Sequence, residues 1–231
     1  MKKRGKKYDK ALELLGARKL FSVQEGVKKA KELAFARFDE SLSVNIMLGI
    51  NKEKPEHSVR GSIALPHKFG KPVKIIAFAK GEQADLAKAA GADIVGAEEL
   101  VEKVLAGWYD FDYAVATPDL MGLVGKTAKI LGPRNLLPNK KNNTVALELA
   151  PVIKELRAGL LFFKSDKNGQ MHFTFGKKSQ NIFDLVENLT LFLKQLKTLR
   201  PATAKGIFIK KTFVSSTMGI SIQLDNNEFN K

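Results

Sequence analysis

At 231 residues the chain exceeds the commonest single-domain size, so it makes one large domain or two modest ones, either able to bury a real core. Hydrophobic residues at 44% and charged residues at 27% exclude a disordered or fibrous chain, and the absence of cysteine excludes disulfide scaffolds, thiol nucleophiles and thiolate metal sites. Lys and Arg number 39 against 24 Asp and Glu, a formal net charge of +15 that points to a polyanionic partner, nucleic acid ahead of an anionic membrane.

The first ten residues hold six Lys/Arg, among them Lys3, Arg4, Lys6 and Lys7, against one Asp. Tyr8, Asp9, Lys10 and Glu13 stand where a signal peptide would turn apolar, so no export signal is read here. An arm of this kind supplies counterion release when the partner is RNA. Lys interrupts even the richest apolar stretch, Leu189 to Leu199, and the expectation is a soluble, cytoplasmic protein with no membrane partner. A helical stretch runs from Gln24 and ends at Arg37-Phe38, where spacing alone puts the Phe38 ring in the core. Leu42, Val44, Ile46, Leu48 and Ile50 then alternate as a half-buried strand.

From Val73 the pattern changes. An apolar run to Ala79, a helix from Glu82 to Ala90, Ile94-Val95-Gly96, a helix from Glu98 to Ala106 and Tyr113 to Ala116 read as strand, helix, strand, helix, strand. A small parallel sheet with helices on both sides fits this order. Alternation returns in Met171, Phe173 and Phe175, after an Asn168-Gly169 turn that follows Leu160-Leu161-Phe162-Phe163, and again in Ile220, Ile222 and Leu224. Between them Ile182, Leu185, Val186, Leu189, Phe192, Leu193 and Leu196 stripe one long helix, with Ser179 as its expected N-cap.

Neither flank has strands enough for a closed core, so both flanks join. The predicted fold class is mixed α/β and α+β in two domains. Residues 1–67 plus 160–231 form a two-layer α+β domain, and residues 68–159 form an inserted Rossmann-like three-layer α/β domain. The crossings lie near Gly70 and Gly159, glycines able to absorb backbone rotation as a hinge. Residues 68–159 hold 13 Lys/Arg against 11 Asp/Glu, and the flanks 26 against 13, net +13, so phosphate attraction belongs to the composite domain.

Covalent chemistry finds little support. Gly122-Leu123-Val124-Gly125-Lys126-Thr127 fails the phosphate-loop spacing because Leu120 stands where the first glycine is needed, and small residues for close helix packing are expected there instead. His57, His67 and His172 have no companion at ligand spacing, and Ala79-Lys80-Gly81-Glu82 replaces a dinucleotide fingerprint, so no catalytic residue, metal or cofactor is expected. Two loops are more promising. The Pro-bounded stretch from Gly132 to Asn143 carries Arg134, Asn139, Lys140 and Lys141. Ser215-Ser216-Thr217-Met218-Gly219, by default a hairpin turn, sets hydroxyls and amides where phosphate or ribose oxygens could be met.

Phe38-Asp39-Glu40, Val59-Arg60-Gly61 through Leu65-Pro66-His67, Gly91-Ala92-Asp93, Ala116-Thr117-Pro118-Asp119, Gly132-Pro133-Arg134 and Thr217-Met218-Gly219 follow in order over essentially the whole chain. In these motifs the sequence resembles the bacterial large-subunit ribosomal protein L-one family, the universal ribosomal stalk proteins. The resemblance implies a non-enzymatic, ribosome-associated part of the 50S subunit whose first domain is built from both chain ends and binds 23S rRNA at the mobile stalk. It also implies help in releasing deacylated exit-site tRNA and repression of the protein's own operon through the mRNA leader. Carried over by position, the family's RNA contacts fall on the basic arm, Arg37, Phe38, the stretch around Lys167, His172, Lys177 and Ser179, and Thr217, Met218 and Gly219. That takes Phe38 out of the core. The family usually has Gly at Asn135, Pro at Lys140 and Pro at Ile220, so a differently shaped loop and a slightly looser turn are expected. A nucleotide-binding α/β enzyme and a non-specific RNA chaperone are the rival readings.

Overall fold

The structure is a computed structural model describing residues 5–16, 20–50, 59–201, 204 and 206–226. The chain divides into two compact units, Met1–Gly70 with Phe162–Lys231, and Lys71–Leu161. The fold is mixed α/β and α+β.

The first unit opens with α1 (Lys6–Leu15) and α2 (Val23–Glu32). Ser22 caps α2 by accepting the Glu25 N–H at 3.3 Å, and the helix stops at Glu32. Arg37 and Phe38 therefore lie in a loop beyond the helix rather than at its end, which is why the apolar stripe does not carry Phe38 inward. Strand β1 (Ser41–Leu48) follows, then β2 (Arg60–Ala64). After the inserted unit come β6 (Leu160–Lys164), β7 (Gln170–Lys177), α8 (Ile182–Thr198), β8 (Ile209–Ser216) and β9 (Ile222–Leu224).

Four of these strands form an antiparallel sheet in the order β7-β1-β8-β9, while β6 pairs with β2 instead of continuing alongside β7. A bridge between Ser165 and Met171 and the bonds from the Asp166 N–H to the Gln170 carbonyl (2.7 Å) and from the Gly169 N–H to the Asp166 carbonyl (3.0 Å) close the hairpin read from Asn168-Gly169, where Gly169 takes φ 70. Alternation buries Leu42, Val44, Ile46 and Leu48 of β1 with Met171, Phe173 and Phe175 of β7 under α2 and α8. The Phe173 and Phe192 rings stack with centroids 4.0 Å apart, and Phe163 meets Phe192 edge-on at 5.2 Å. Each such buried ring or Leu stabilises the layer by about 1.5–3 kcal/mol. Gly26 lets α2 lie flat, since a Cβ there would come 2.2 Å from the Leu224 side chain. The buried Asn188 amide on α8 donates to the Phe175 and His67 carbonyls and accepts the His67 N–H, fixing the strand exit at His67. The His67 ring, held by Glu187 at 2.9 Å and with Asp184 nearby, titrates above its ordinary value of 6.5.

The second unit holds three parallel strands, β3 (Ile75–Phe78), β4 (Ile94–Gly96) and β5 (Tyr113–Ala116), in the order β4-β3-β5. Its helices are α3 (Glu82–Ala89), α4 (Glu98–Leu105), α5 (Met121–Val124), α6 (Ala128–Leu131) and α7 (Leu149–Arg157). Ile76 and Phe78 pack with Leu100, Val101, Val104, Leu120, Val124 and Leu131, while Ile75 and Ala77 are buried on the opposite face. This unit thus carries helices on both faces of its sheet. The expectation for Gly122 and Gly125 is overturned: a Cβ at either meets nothing within 4 Å, because both sit on the outer side of short turns.

One cation holds the strand ends of this unit together. Arg157 donates to the Gly91 carbonyl from Nε (3.0 Å) and Nη2 (2.8 Å) and to the Val73 carbonyl from Nη1 (2.7 Å), and its Nη2 lies 2.8 Å from Asp93. Burial works against ionised Asp93, but the Ile75 N–H and the Arg157 guanidinium outweigh it and hold the carboxyl below its ordinary range. Arg157→Met keeps the stem and removes every donor, so it is expected to lower this unit's stability by about 1–2 kcal/mol. Urea unfolding followed by Trp108, the sole tryptophan and a partner of this unit's core, measures it. An unchanged midpoint would show that the guanidinium holds nothing.

Candidate RNA interface

The register of β1 decides which loops meet. Ser41 lies opposite Lys177 of β7, and Leu42 lies opposite Ser216 of β8. The loop before β1, the loop after β7 and the turn after β8 therefore converge at one end of the sheet. They bring Arg37, Phe38, Lys177, Ser179, Thr217, Met218 and Gly219 to a single corner. Phe38 and Met218 are each 55% exposed, so two large apolar groups face solvent among cations and hydroxyls.

Hydrogen bonds lock the three loops to one another. Asp39 accepts the Ser179 N–H and the Ser179 hydroxyl, both at 3.0 Å. Ser179 is therefore not the N-cap expected of it: α8 starts at Ile182 after Asn181, and the Ser179 hydroxyl is engaged by the Asp39 carboxylate instead. Glu40 is fully buried and spans two loops, accepting the Ala36 N–H at 2.7 Å and the Met218 N–H at 3.0 Å. Its own carbonyl accepts the Lys178 N–H at 2.8 Å, and the Lys178 ammonium donates to the Ala34 carbonyl at 2.6 Å. Burial disfavours the Glu40 anion, yet the Met218 N–H, the Ser216 hydroxyl, the Ala36 N–H and the Lys178 charge prevail, and its carboxyl stays below the ordinary 4.5.

The turn after β8 is a hairpin turn, as its composition suggests, with β8 paired antiparallel to β9. Thr217 Oγ1 accepts the Ser41 N–H at 3.1 Å and donates to the Ser41 carbonyl at 3.2 Å, so the hydroxyl also ties the turn to β1. Gly219 packs closely over Ser216: a Cβ there would displace the Ser216 hydroxyl. Ile220, where the family usually has proline, is buried.

His172 sits near the start of β7, five residues from Lys177, about 16 Å along the strand. Its Nδ1 is 2.7 Å from Asn45 Oδ1 and its Nε2 is 3.5 Å from Asp166, beside Lys167 in the turn. The residues expected to meet RNA thus fall at both ends of β7, joined by the solvent-facing side of the sheet with Ser43, Asn45 and Thr174. Lys6 and Lys7 open α1 and are exposed. Lys3, Arg4 and His57 lie outside the described residues.

In the second unit the loop from Gly132 is folded. Arg134 lies 3.4 Å over the Tyr109 ring, a cation–π contact. The Thr144 hydroxyl accepts the Asn139 N–H at 2.8 Å and donates to its carbonyl at 3.1 Å, and Lys140–Asn142 form a short 3-10 turn. Lys140 is exposed, and of Lys141 only the backbone is described. Asn135, where the family usually has glycine, takes φ 58, a left-handed conformation that asparagine tolerates. Gly70 and Gly159 both adopt φ 97, open to glycine at little cost.

Asp39 and Glu40 are the residues that pattern reading left without a role. Their signal was their sign: two carboxylates directly after Arg37-Phe38, in the part of the chain with a net charge of +13. Among the described residues no group of three His, Asp or Glu stands close enough to hold a metal ion, and no helix is long and apolar enough to cross a membrane.

Residues 28–220 match the profile of the Ribosomal protein L1p/L10e family. The chain is also similar to the large ribosomal subunit protein uL1 of Kosmotoga olearia, 44% identical over 228 residues, 99% of each chain. A uL1 of Thermus thermophilus is 44% identical over 226 residues, 97% of this chain and 99% of that one, and the uL1 of Nitratidesulfovibrio vulgaris is 44% identical over 231 residues, all of this chain and 98% of that one. A profile match over most of the length and relatives of this identity from end to end place the chain in the Ribosomal protein L1p/L10e family.

Proposed function

We propose that the chain is a structural, non-enzymatic constituent of the large ribosomal subunit, ribosome-associated in the cytoplasm, and that it binds the stalk of 23S rRNA through the corner built on Phe38 and Met218. The name shared by the relatives supports the ribosomal role. The observation that carries the RNA reading is the corner itself, where Phe38 and Met218 stand exposed on loops locked by hydrogen bonds. Folded RNA is recognised by shape, ribose and phosphate, and an apolar plate bounded by amides and hydroxyls fits a sugar edge and its phosphates. Arg37, Lys177 and the amino-terminal cations supply attraction, and Lys167 and His172 extend the contact along β7.

The remaining assignments rest on this one. Residues 1–67 and 160–231 grip the rRNA, residues 68–159 act later, and Gly70 and Gly159 serve as the hinge between them. Arg134, Asn139, Lys140 and Lys141 give a second RNA contact, which suits a role in releasing deacylated tRNA from the exit site. A stem of similar shape in the protein's own mRNA leader would bind the same corner, repressing translation of the operon.

With about six phosphates neutralised, log K falls against log salt with a slope of about −4 to −5. A flat salt response would refute a phosphate-bound complex. Filter-binding competition between the stalk stem and bulk RNA at physiological salt is expected to favour the stem, and equal competition would make the protein a non-specific RNA chaperone. Met218→Ala and Thr217→Val are each expected to cost about 1–3 kcal/mol of stem binding, with the melting temperature nearly unchanged for Met218→Ala because the side chain is exposed.

A further inference from the structure

We infer that Glu40 is a positioning residue for the RNA-binding corner: its buried carboxylate clasps the backbone of the Arg37-Phe38 loop to that of the Thr217–Gly219 turn and so sets the spacing of Phe38 and Met218. The inference rests on the RNA reading above and goes further, since it assigns recognition to an acid that RNA never touches.

An acid is the wrong charge for a surface that meets phosphate. Its field repels the ligand, and its burial costs desolvation energy. A carboxylate kept there in spite of both has a geometric task, and the geometry gives one. The two oxygens of a carboxylate are both acceptors, and here each takes one backbone N–H, Ala36 on Oε1 and Met218 on Oε2. Those donors flank the exposed side chains, Ala36 two residues before Phe38 and Met218 itself. Asp39 repeats the device on the other side of Phe38 by holding Ser179.

No neutral side chain substitutes. A glutamine offers one acceptor and one NH2 donor, so either Ala36 or Met218 would face a donor. Aspartate keeps both acceptors and the charge, but it is one methylene shorter and does not span the two amides. The value of the clasp is preorganisation: loops already in the bound arrangement lose little freedom when RNA arrives. A free Phe38 loop would have to be ordered by the RNA, at the expense of affinity.

The sign of the charge effect makes the test sharp. Were Glu40 only a charge, Glu40→Gln would tighten RNA binding. The clasp requires the opposite. Full-length wild type, Glu40→Gln, Glu40→Asp and Glu32→Gln are compared, the last removing the same charge from an exposed carboxylate on α2. Stem affinity is measured as a function of salt, and amide hydrogen exchange at Ala36 and Met218 is measured without RNA. Both Glu40 variants are expected to bind the stalk stem about tenfold more weakly, with the wild-type salt slope and faster exchange at the two amides. Glu32→Gln is expected to bind as tightly as wild type or more so. If Glu40→Gln fails to fold, Glu40→Asp, which keeps the charge, gives the same reading. Stem binding by Glu40→Gln equal to or tighter than wild type overturns the clasp and leaves the RNA reading standing. A wild type without preference for the stem overturns the RNA reading, and exchange in the free protein then decides the clasp alone: unchanged rates at Ala36 and Met218 refute it, faster rates support it.

Discussion

A surface that grips RNA must hold positive charges close together, and like charges push apart. In this chain the flanks hold 26 Lys/Arg against 13 Asp/Glu, so self-repulsion is built into the part that would do the binding. The structure answers with carboxylates placed where they organise backbone. Asp39 and Glu40 accept N–H groups from three loops, and Lys178 turns its ammonium back onto the Ala34 carbonyl. The outward charges of these loops are then carried on backbone that hydrogen bonds already tie together.

That frame depends on β1. The strand lies between β7 and β8, both of which come after the inserted unit, and its only neighbours in the sheet are these two. The core of the first unit therefore closes only when both chain ends have met, with the whole of the inserted segment between them. Such pairing is costly in loop entropy and slow to form, and the sheet returns that cost through the ladders on both sides of β1 and the Phe173–Phe192 stack. The same dependence makes the corner composite. Arg37 and Phe38 come from before the insertion, Ser179 and Met218 from after it, and no segment of the chain holds the site by itself.

Much of this was legible in the sequence. Period-two runs marked β1, β7 and β9, the βαβ rhythm marked the inserted sheet, and the charge count assigned the basic excess to the two flanks. Where reading failed, the competing interaction was one that linear patterns do not carry. Ser179 looked like a helix cap because a hydroxyl before an apolar stripe is one, but Asp39, far away in sequence, takes that hydroxyl. Spacing alone puts Phe38 in the core, the family motif takes it out, and the structure agrees with the motif: α2 stops at Glu32 and the chain turns the ring out. The Leu160 to Phe163 run announced a strand correctly without announcing that β2 would be its partner. Gly122 and Gly125 invited a packing explanation, yet open space lies where their side chains would be. Asp39 and Glu40 stood in plain view within a recognisable motif, and only the register of β1 against Lys177 and Ser216 reveals what they hold.

The departures from the family pattern show how a backbone constraint outlives the residue that usually meets it. Asn135 adopts φ 58, the region for which glycine is the least strained choice, and Asn143 in the same loop adopts φ 55. Asparagine enters that region more readily than other residues with a Cβ, so it meets the backbone demand of this turn with a side chain present. Ile220 makes the complementary exchange. A proline after Gly219 would stiffen the chain by fixing φ; an isoleucine there is buried and anchors the turn by burial instead. Rigidity supplied by a ring and rigidity supplied by burial are interchangeable only if the turn is already closed from below. Gly219 folded over Ser216 and Glu40 bonded to the Met218 N–H supply that closure. At this corner the groups that close the turn, the buried Glu40 carboxylate and the Ser216 side chain under Gly219, thus lie beneath it rather than on its exposed rim.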